Sequence, residues 1–477
     1  MSLRRTAFRV FLSTAMLTGA LAACTSTEAP AAGIRWEPCA ENGAYDCAAV
    51  PVPIDWAQRD GATIDIAVVR DRADDPARSI GTLISLPGGP GDSGVDQILR
   101  GSRFSAELRS RFDIVSLDPR GVKRSHPVRC DAGLADRPNM VPDSGGRLDE
   151  IHSYARALAA SCRQHTGPLI DHLDAVSVAR DIDAVRAALG DDRISIYGRS
   201  YGTLAGQAFA ELFPQRLRAM ALDSVDDHAL DGPDFLAGEA RAAQDSFGEF
   251  ASWCARDELC ALHGTDLDRA YGRLVAAAGR GELQNPRMPG KPFGPLELSW
   301  LVTRRLYNPD WPELATDLQT LTNQPPDRPA PAAPPQQLGE AAPMPEIFVC
   351  SDWRFRILDQ DQWARLWREQ NDNAPTLRAH FAWGVAALCS GWPTGPQNPP
   401  HRPQVIDGPP ILVMNSRHDP ATPHEWAAAV AANTDRATLL TYEGWGHGVY
   451  ERNSCTTTAA DNYLVDLTPA PAGCPAR

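Results

Sequence analysis

The sequence predicts an α/β fold in which a mostly parallel sheet, covered on both faces, carries a large helical insertion. Residues 193–214, RISIYGRSYGTLAGQAFAELFP, read as strand, tight turn and helix with a serine at the apex. Strand and helix patterns alternate through the first half of the chain, which is the rhythm of a parallel sheet with helices on both faces. That rhythm stops near residue 225 and returns near residue 403, so the middle of the chain is an insertion.

In the apical turn, Gly198-Arg199-Ser200-Tyr201-Gly202, the serine takes strained dihedrals. The positions two before and two after it must then lack side chains to clear the neighbouring strand and helix. Ser200 sits at a helix N-terminus, where backbone N–H groups favour a developing negative charge. The plain alternative is a surface Gly/Ser turn, and the flanking strand and helix argue against it.

At 477 residues, 43% of them hydrophobic, the chain is long enough for one large elaborated domain and too apolar for wholesale disorder. A net charge of −14 argues against a nucleic-acid partner, which would need basic patches. Arg4, Arg5 and Arg9 precede an apolar run over 11–21 and then Leu21-Ala22-Ala23-Cys24. Residues 1–23 thus have the anatomy of an export signal. Leu-Ala-Ala-Cys resembles a bacterial lipobox, which implies a lipid on Cys24, membrane anchoring and a place in the cell envelope, with 24–35 as a flexible tether. Ten cysteines remain, an even number, and an oxidising compartment favours disulfides over metal ligands. Pairing sequence neighbours gives Cys39 with Cys47, Cys130 with Cys162, Cys254 with Cys260, Cys350 with Cys389 and Cys455 with Cys474, one connectivity among many. No C-x-x-C or H-E-x-x-H is present, so neither a metal site nor a cofactor is expected.

Taken in order, the first half of the core spans 36–224. TIDIAVV at 63–69 alternates as a strand of an antiparallel hairpin. GTLISL at 81–86 is a buried strand running into PGGPGDSG. An acyl-transfer serine needs a second backbone N–H donor from such a glycine loop; Gly89, in preference to Gly88, is expected to supply it alongside Tyr201. FDIVSL at 112–117 is a further buried strand, and Asp118 and Arg120 after it read as an ion pair holding the loop over the sheet. Val178, Ile182, Val185 and Leu189 recur at helical spacing before Gly190.

From 225 to 402 the pattern is helical and rich in aromatic residues, most of them read as core, with a Pro-rich loop over 325–345. Such an insertion lies above the serine as a lid. The core resumes over 403–477. ILVMN at 411–415 is a strand, and Thr422, Pro423 and Glu425 read as a capping box for a helix over 426–432, which leaves Asp419 in the loop between them. ATLLTY at 437–442 is the next strand and GWGHG at 444–448 its loop.

Ser200, Asp419 and His447 thus follow one another, each in a loop after a strand, the chain order of an α/β-hydrolase triad. His447 would take the Ser200 proton and return it to the leaving group, with Asp419 orienting the imidazole. Glycines on both sides of His447 are expected to leave room for substrate. His418 and His424 lie too near Asp419 in sequence to be oriented by it.

GGPGDSG (88–94), DPRGV (118–122), GRSYGT (198–203), LDS (222–224), CSGWP (389–393), SRHDPATP (416–423) and GWGHG together resemble the tripeptidyl aminopeptidases of the α/β-hydrolase peptidases, exported bacterial serine exopeptidases related to prolyl aminopeptidases. The resemblance covers about 36–474 and implies Ser200, Asp419 and His447 as the triad and the insertion as a lid that restricts access to peptide N-termini. The sequence departs from the family pattern at Asp92, where relatives carry a small residue, and at Ser224, where glycine is usual. Neither departure is expected to touch the triad.

The leading expectation is a lipid-anchored serine exopeptidase that releases tripeptides or similar fragments from free N-termini. A carboxylate must then pair with the substrate ammonium, and Asp226, Asp227, Glu239 and Asp352 are the candidates. The alternatives are a carboxylesterase using the same triad and a surface lipoprotein that binds a ligand without turnover.

Overall fold

The computed structural model describes residues 33–134, 137–285, 293–324, 341–343, 345–378 and 381–476. The signal sequence, Cys24 and most of the Pro-rich loop lie outside the described residues. The strands are β1 (Glu37–Pro38), β2 (Asp46–Pro53), β3 (Thr63–Asp71), β4 (Thr82–Leu86), β5 (Asp113–Leu117), β6 (Arg129–Asp131), β7 (Ile194–Arg199), β8 (Leu217–Asp223), β9 (Ala341–Pro343), β10 (Ile411–His418), β11 (Ala437–Trp445) and β12 (Gly473–Pro475).

Ten of these form one sheet in the order β1-β2-β3-β5-β4-β7-β8-β10-β11-β12. The pairings from β1 to β5 are antiparallel and the rest are parallel. All five residues of β4 are buried, as a strand inside a parallel sheet requires, whereas β3 alternates exposed and buried at its start. The chain leaves β4 on one side for β5 and returns on the other for β7. The loops after β4 and β7 therefore meet at the point where strand order reverses, the crevice in which open α/β sheets bind ligands.

Neighbouring residues of one strand serve opposite faces. Ile84, Val115, Ile196 and Val413 pack with residues of the helices Ala175–Leu189 and Gly202–Leu212. Leu83, Ile114, Tyr197 and Leu412 pack with the helices Gly94–Leu99, Ala106–Arg111 and Ser454–Asp466. Each fully buried aliphatic side chain stabilises this arrangement by about 1.5–3 kcal/mol.

The insertion contains the helices Gly232–Arg256, Leu267–Gly279, Pro295–Tyr307, Trp311–Thr322, Gln360–Asn373 and Phe381–Ser390. One cluster gathers Trp353, Trp363, Trp367 and Trp383; another gathers Phe247, Phe250, Tyr271, Leu298 and Leu318. Most of the aromatics are core, as expected, but Trp300 is exposed. At the end of the Pro-rich stretch, β9 is a strand rather than loop and pairs antiparallel with β6.

All five disulfides join sequence neighbours, in the pairing read from the sequence. Asp118 and Arg120 do not pair with each other. Arg120 makes a bidentate ion pair with Asp181, both fully buried, and donates to the carbonyls of Pro53, Ile54 and His172. Asp118 instead accepts from the Ser93 hydroxyl and the Val95 and Arg124 N–H groups, which ties down the glycine loop after β4. Each charge finds donors or acceptors on its own side of the loop, and a buried arginine is stable only when its whole fork is engaged.

Candidate active site

Ser200 sits between β7 and the helix Gly202–Leu212 at φ 55°, a left-handed conformation that costs a side-chain-bearing residue about 1–2 kcal/mol. A Cβ on Gly198 would lie 3.0 Å from the Gly202 carbonyl oxygen, and one on Gly202 would lie 2.4 Å from that of Pro87. The second glycine of the motif is thus demanded by the loop after β4 as well as by the turn itself. The Ser200 N–H donates to the Asp223 carbonyl at 2.9 Å, and its own carbonyl accepts from the Thr203 N–H and hydroxyl, both at 2.7 Å. Gly88 presses against the serine, where an added Cβ would stand 3.0 Å from Ser200 Cβ and 3.5 Å from Oγ. Among the described residues, neither Ser200 Oγ nor the N–H of Gly89 or Tyr201 makes a hydrogen bond.

Asp419 and His447 are brought together in the interior. His447 Nδ1 lies 3.0 Å from Asp419 Oδ1 and 3.1 Å from Oδ2. Oδ1 also accepts from the N–H groups of Ala421 and Thr422 at 2.9 and 3.0 Å, and Oδ2 from the hydroxyls of Ser224 at 2.7 Å and Thr422 at 3.1 Å. Burial alone would raise the Asp419 carboxyl; the adjacent His447 and these donors outweigh it and hold the group below the usual carboxylate range. The expected capping box does not form. The Thr422 hydroxyl serves Asp419, Pro423 occupies the cap position of the helix His424–Asn433, and Glu425 pairs with Arg241 of the insertion.

The histidine loop is fastened to the serine turn by Arg199, whose Nη2 donates to the His447 carbonyl at 2.7 Å. The glycines flanking His447 do not open a way for substrate, as expected from sequence. A Cβ on Gly448 would meet the Arg199 guanidinium at 2.5 Å, and one on Gly446 would meet Arg452 Nη2 and the Tyr307 carbonyl at 2.7 Å. Their absent side chains make room for two arginine clamps, and both glycines have positive φ. The Tyr307 ring lies 4.7 Å from the imidazole, centroid to centroid, and the Tyr307 carbonyl accepts the His447 N–H at 2.8 Å. His418 and His424 are engaged elsewhere, by Asp245 at 2.7 Å and by Thr441 at 2.8 Å.

All four acidic candidates are buried, and three of them have distinct surroundings. Asp352 accepts from Ala175 N–H, Asn398 Nδ2 and the Tyr201 hydroxyl at 3.0, 2.7 and 2.5 Å, and burial pushes its carboxyl up to about 7. Asp227 accepts from the Ala229 N–H of its own turn. Asp226 is buried, and burial, with Glu239 next and then Asp419, Asp352 and Asp227, drives its carboxyl well above the usual range. Among the described residues no lysine or arginine pairs with Asp226.

Asp92 is exposed on the loop after β4. Ser224 does touch the triad, contrary to expectation: its hydroxyl bonds the acid. Sequence reasoning also missed Asp223, Arg199 and Tyr307, whose partners lie far along the chain, and Thr422, whose hydroxyl turns back to Asp419 in its own loop. A positive φ at a serine directly after a strand leaves no signature in sequence apart from its departure from glycine.

Residues 81–292 match the alpha/beta hydrolase fold, and residues 374–473 match a family described as TAP-like protein. The chain is 32% identical to the Serine protease Hip1 of Mycobacterium tuberculosis, over 92% of this chain and 90% of that protein. The chain belongs to the tripeptidyl-aminopeptidase-like family of α/β hydrolases. This hydrolase is also 29% identical to the Tripeptidyl aminopeptidase of Streptomyces lividans, over 95% of this chain and 90% of the relative. It is 30% identical to the Carboxylesterase B of Mycobacterium tuberculosis, over 89% and 85% of the two chains. The hydrolase is a serine hydrolase with peptidase relatives, and its disulfides are those of a protein that matures in an oxidising, extracytoplasmic compartment.

Proposed function

We propose that this hydrolase is a serine exopeptidase that releases tripeptides or similar short fragments from free peptide N-termini. His447 takes the Ser200 proton as Oγ attacks the scissile carbonyl, and the N–H groups of Gly89 and Tyr201 receive the oxyanion. His447 then returns the proton to the departing amine. Water, deprotonated by the same imidazole, hydrolyses the Ser200 ester and frees the fragment. Asp419 keeps the proton on Nδ1 during both half-reactions.

The observation that carries the exopeptidase reading is the crowding of Asp226 with Glu239 beside the triad acid. Asp226 is buried, its charge opposed by the neighbouring carboxylates and paired with no lysine or arginine among the described residues, and a substrate ammonium is the cation that relieves it. Asp352 and Asp227 fit this role less well because protein donors already occupy them. The insertion is the lid, 225–402, between the core segments 36–224 and 403–477. The mature chain is anchored to the cell envelope by a lipid on Cys24; a Cys24→Ala variant that still incorporates labelled fatty acid would remove that part of the reading.

Hydrolysis of esters is the second reading, supported by the relative named Carboxylesterase B. A peptide with a free N-terminus and its N-acetylated twin, digested by the mature enzyme and by Ser200→Ala, separate the two by mass spectrometry. Shortening of the free peptide alone, in fixed steps, supports the exopeptidase. Cleavage of neither peptide, with hydrolysis of a short-chain ester, leaves an esterase.

A further inference from the structure

The turn that follows β8 belongs to none of the three catalytic loops, yet it touches all of them. The Asp223 carbonyl accepts the Ser200 N–H. The Asp223 carboxylate accepts the N–H groups of Val449 and Tyr450 at 2.6 and 2.9 Å and the Tyr197 hydroxyl at 2.6 Å, so it gathers the chain just beyond His447. The Ser224 N–H donates to the Met414 carbonyl of β10, the strand that leads to Asp419. The Ser224 hydroxyl, fully buried, accepts the Gly448 N–H at 2.7 Å and spends its single proton on Asp419 Oδ2 at 2.7 Å.

Ser224 holds this position at φ 57°. A glycine would adopt that conformation without strain, so the side chain is present at a cost in stability of about 1 kcal/mol or more. What the side chain returns is one oxygen that grips the acid and the residue after the base at once. Without it, Asp419 Oδ2 keeps the Thr422 hydroxyl at 3.1 Å, and Gly448 N–H faces a buried gap.

We propose that Ser224 is a positioning residue of the catalytic site, its hydroxyl fixing the Asp419 carboxylate against His447 and holding the histidine loop at the correct distance from Ser200. The proposal rests on the triad reading and not on the choice between peptide and ester. Its effect reaches the reacting atoms through Asp419 and Gly448 alone.

The test compares Ser224→Gly and Ser224→Ala with the wild type and Ser200→Ala, on a peptide and on a short-chain ester, across pH. Removing a donor from Asp419 makes the Asp419–His447 pair hold its shared proton more tightly, so the acidic limb of kcat/KM moves to higher pH. Arg199, Arg452, Tyr307 and Asp226 face the same pair from the serine turn, the C-terminal segment, the insertion and the loop after β8, and they are unchanged in both variants. The expected result is a fall in kcat of about tenfold on both substrates with KM within about twofold, the acidic limb shifted upward, and Ser224→Gly melting close to wild type because the relieved strain offsets the unpaired Gly448 N–H. Wild-type kcat and an unmoved pH limb in Ser224→Gly would overturn the proposal. So would a loss of activity that tracks a lowered melting temperature. Ser200→Ala retaining activity would sink the triad itself, and failure to cut peptides with the ester effect intact would sink only the exopeptidase reading.

Discussion

Arg199 and His447 are joined across the site: the residue before the nucleophile donates to the backbone of the base at 2.7 Å. The serine turn and the histidine loop, 248 residues apart, are therefore tied directly to each other. Arg199→Met keeps the bulk of the stem and removes the donors. It is expected to lower kcat by roughly 10- to 100-fold on peptides and esters alike, the scale on which misplaced catalytic groups cost rate. Steady-state kinetics with fluorophosphonate labelling of Ser200 as the measure of intact sites checks it.

Gly448→Ala attacks the same junction from the other side. The new Cβ meets the guanidinium at 2.5 Å in a backbone conformation, φ 91°, that alanine resists. A loss of about 1–3 kcal/mol of stability is expected, read as a lowered urea midpoint, together with a fall in kcat.

Asp226→Asn tests the proposed ammonium site. KM for peptides with a free N-terminus is expected to rise at least tenfold, while acetylated esters are hydrolysed as before. The sign of the pH effect follows from the raised carboxyl: protonated Asp226 binds ammonium poorly, so 1/KM of the wild type climbs as pH rises through its titration. Loss of the proton from the peptide amine, whose ordinary pKa is about 7.7–8.0, acts in the opposite direction. The amide variant should lose the rising limb and keep the falling one. Equal losses on both substrate types would argue for a structural role instead.

Asp352 gives the protein a pH-dependent stability. Its carboxyl is raised to about 7 in the fold and titrates near 3.9 in the unfolded chain, so between those values the folded state binds the extra proton. Stability from this group is fully present below about pH 4 and declines as pH rises towards 7, by on the order of 1 kcal/mol per pH unit. Asp352→Asn should flatten the slope of chemical-denaturation stability against pH over that window. A slope unchanged by the substitution would mean that other groups set it.

Cys350 and Cys389 close a loop of 39 residues that ends two residues from Asp352. In the chain-entropy account, opening such a loop costs about 4 kcal/mol. Cys350→Ala with Cys389→Ala should lower the melting temperature more than loss of the Cys254–Cys260 bridge, whose separation is 6. Equal shifts would contradict the loop-length argument.

The sequence made the local geometry legible because turns are local. The G-x-S-x-G motif, the glycine loop after β4 and the strands that lead into Asp419 and His447 are each specified within about ten residues, and the structure has each where the sequence places it. Long-range polar partners were not legible. Asp118 and Arg120 look like a pair on paper, but Arg120 turns to Asp181, 61 residues away, because that carboxylate waits in the interior of a neighbouring helix. Thr422 and Glu425 satisfy a capping pattern, and tertiary structure redirects both, one to Asp419 and the other to Arg241. The contact of Ser224 with Asp419 spans 195 residues and is set by sheet order alone. Nothing near residue 224 announces it.

The disulfides, finally, run in order of synthesis: each described cysteine is bonded to the next one along the chain. Because every described bridge joins consecutive cysteines, none of them has to wait for a cysteine beyond its own partner. Oxidation can therefore proceed bridge by bridge in chain order, with no described pairing that requires an earlier bridge to be reopened.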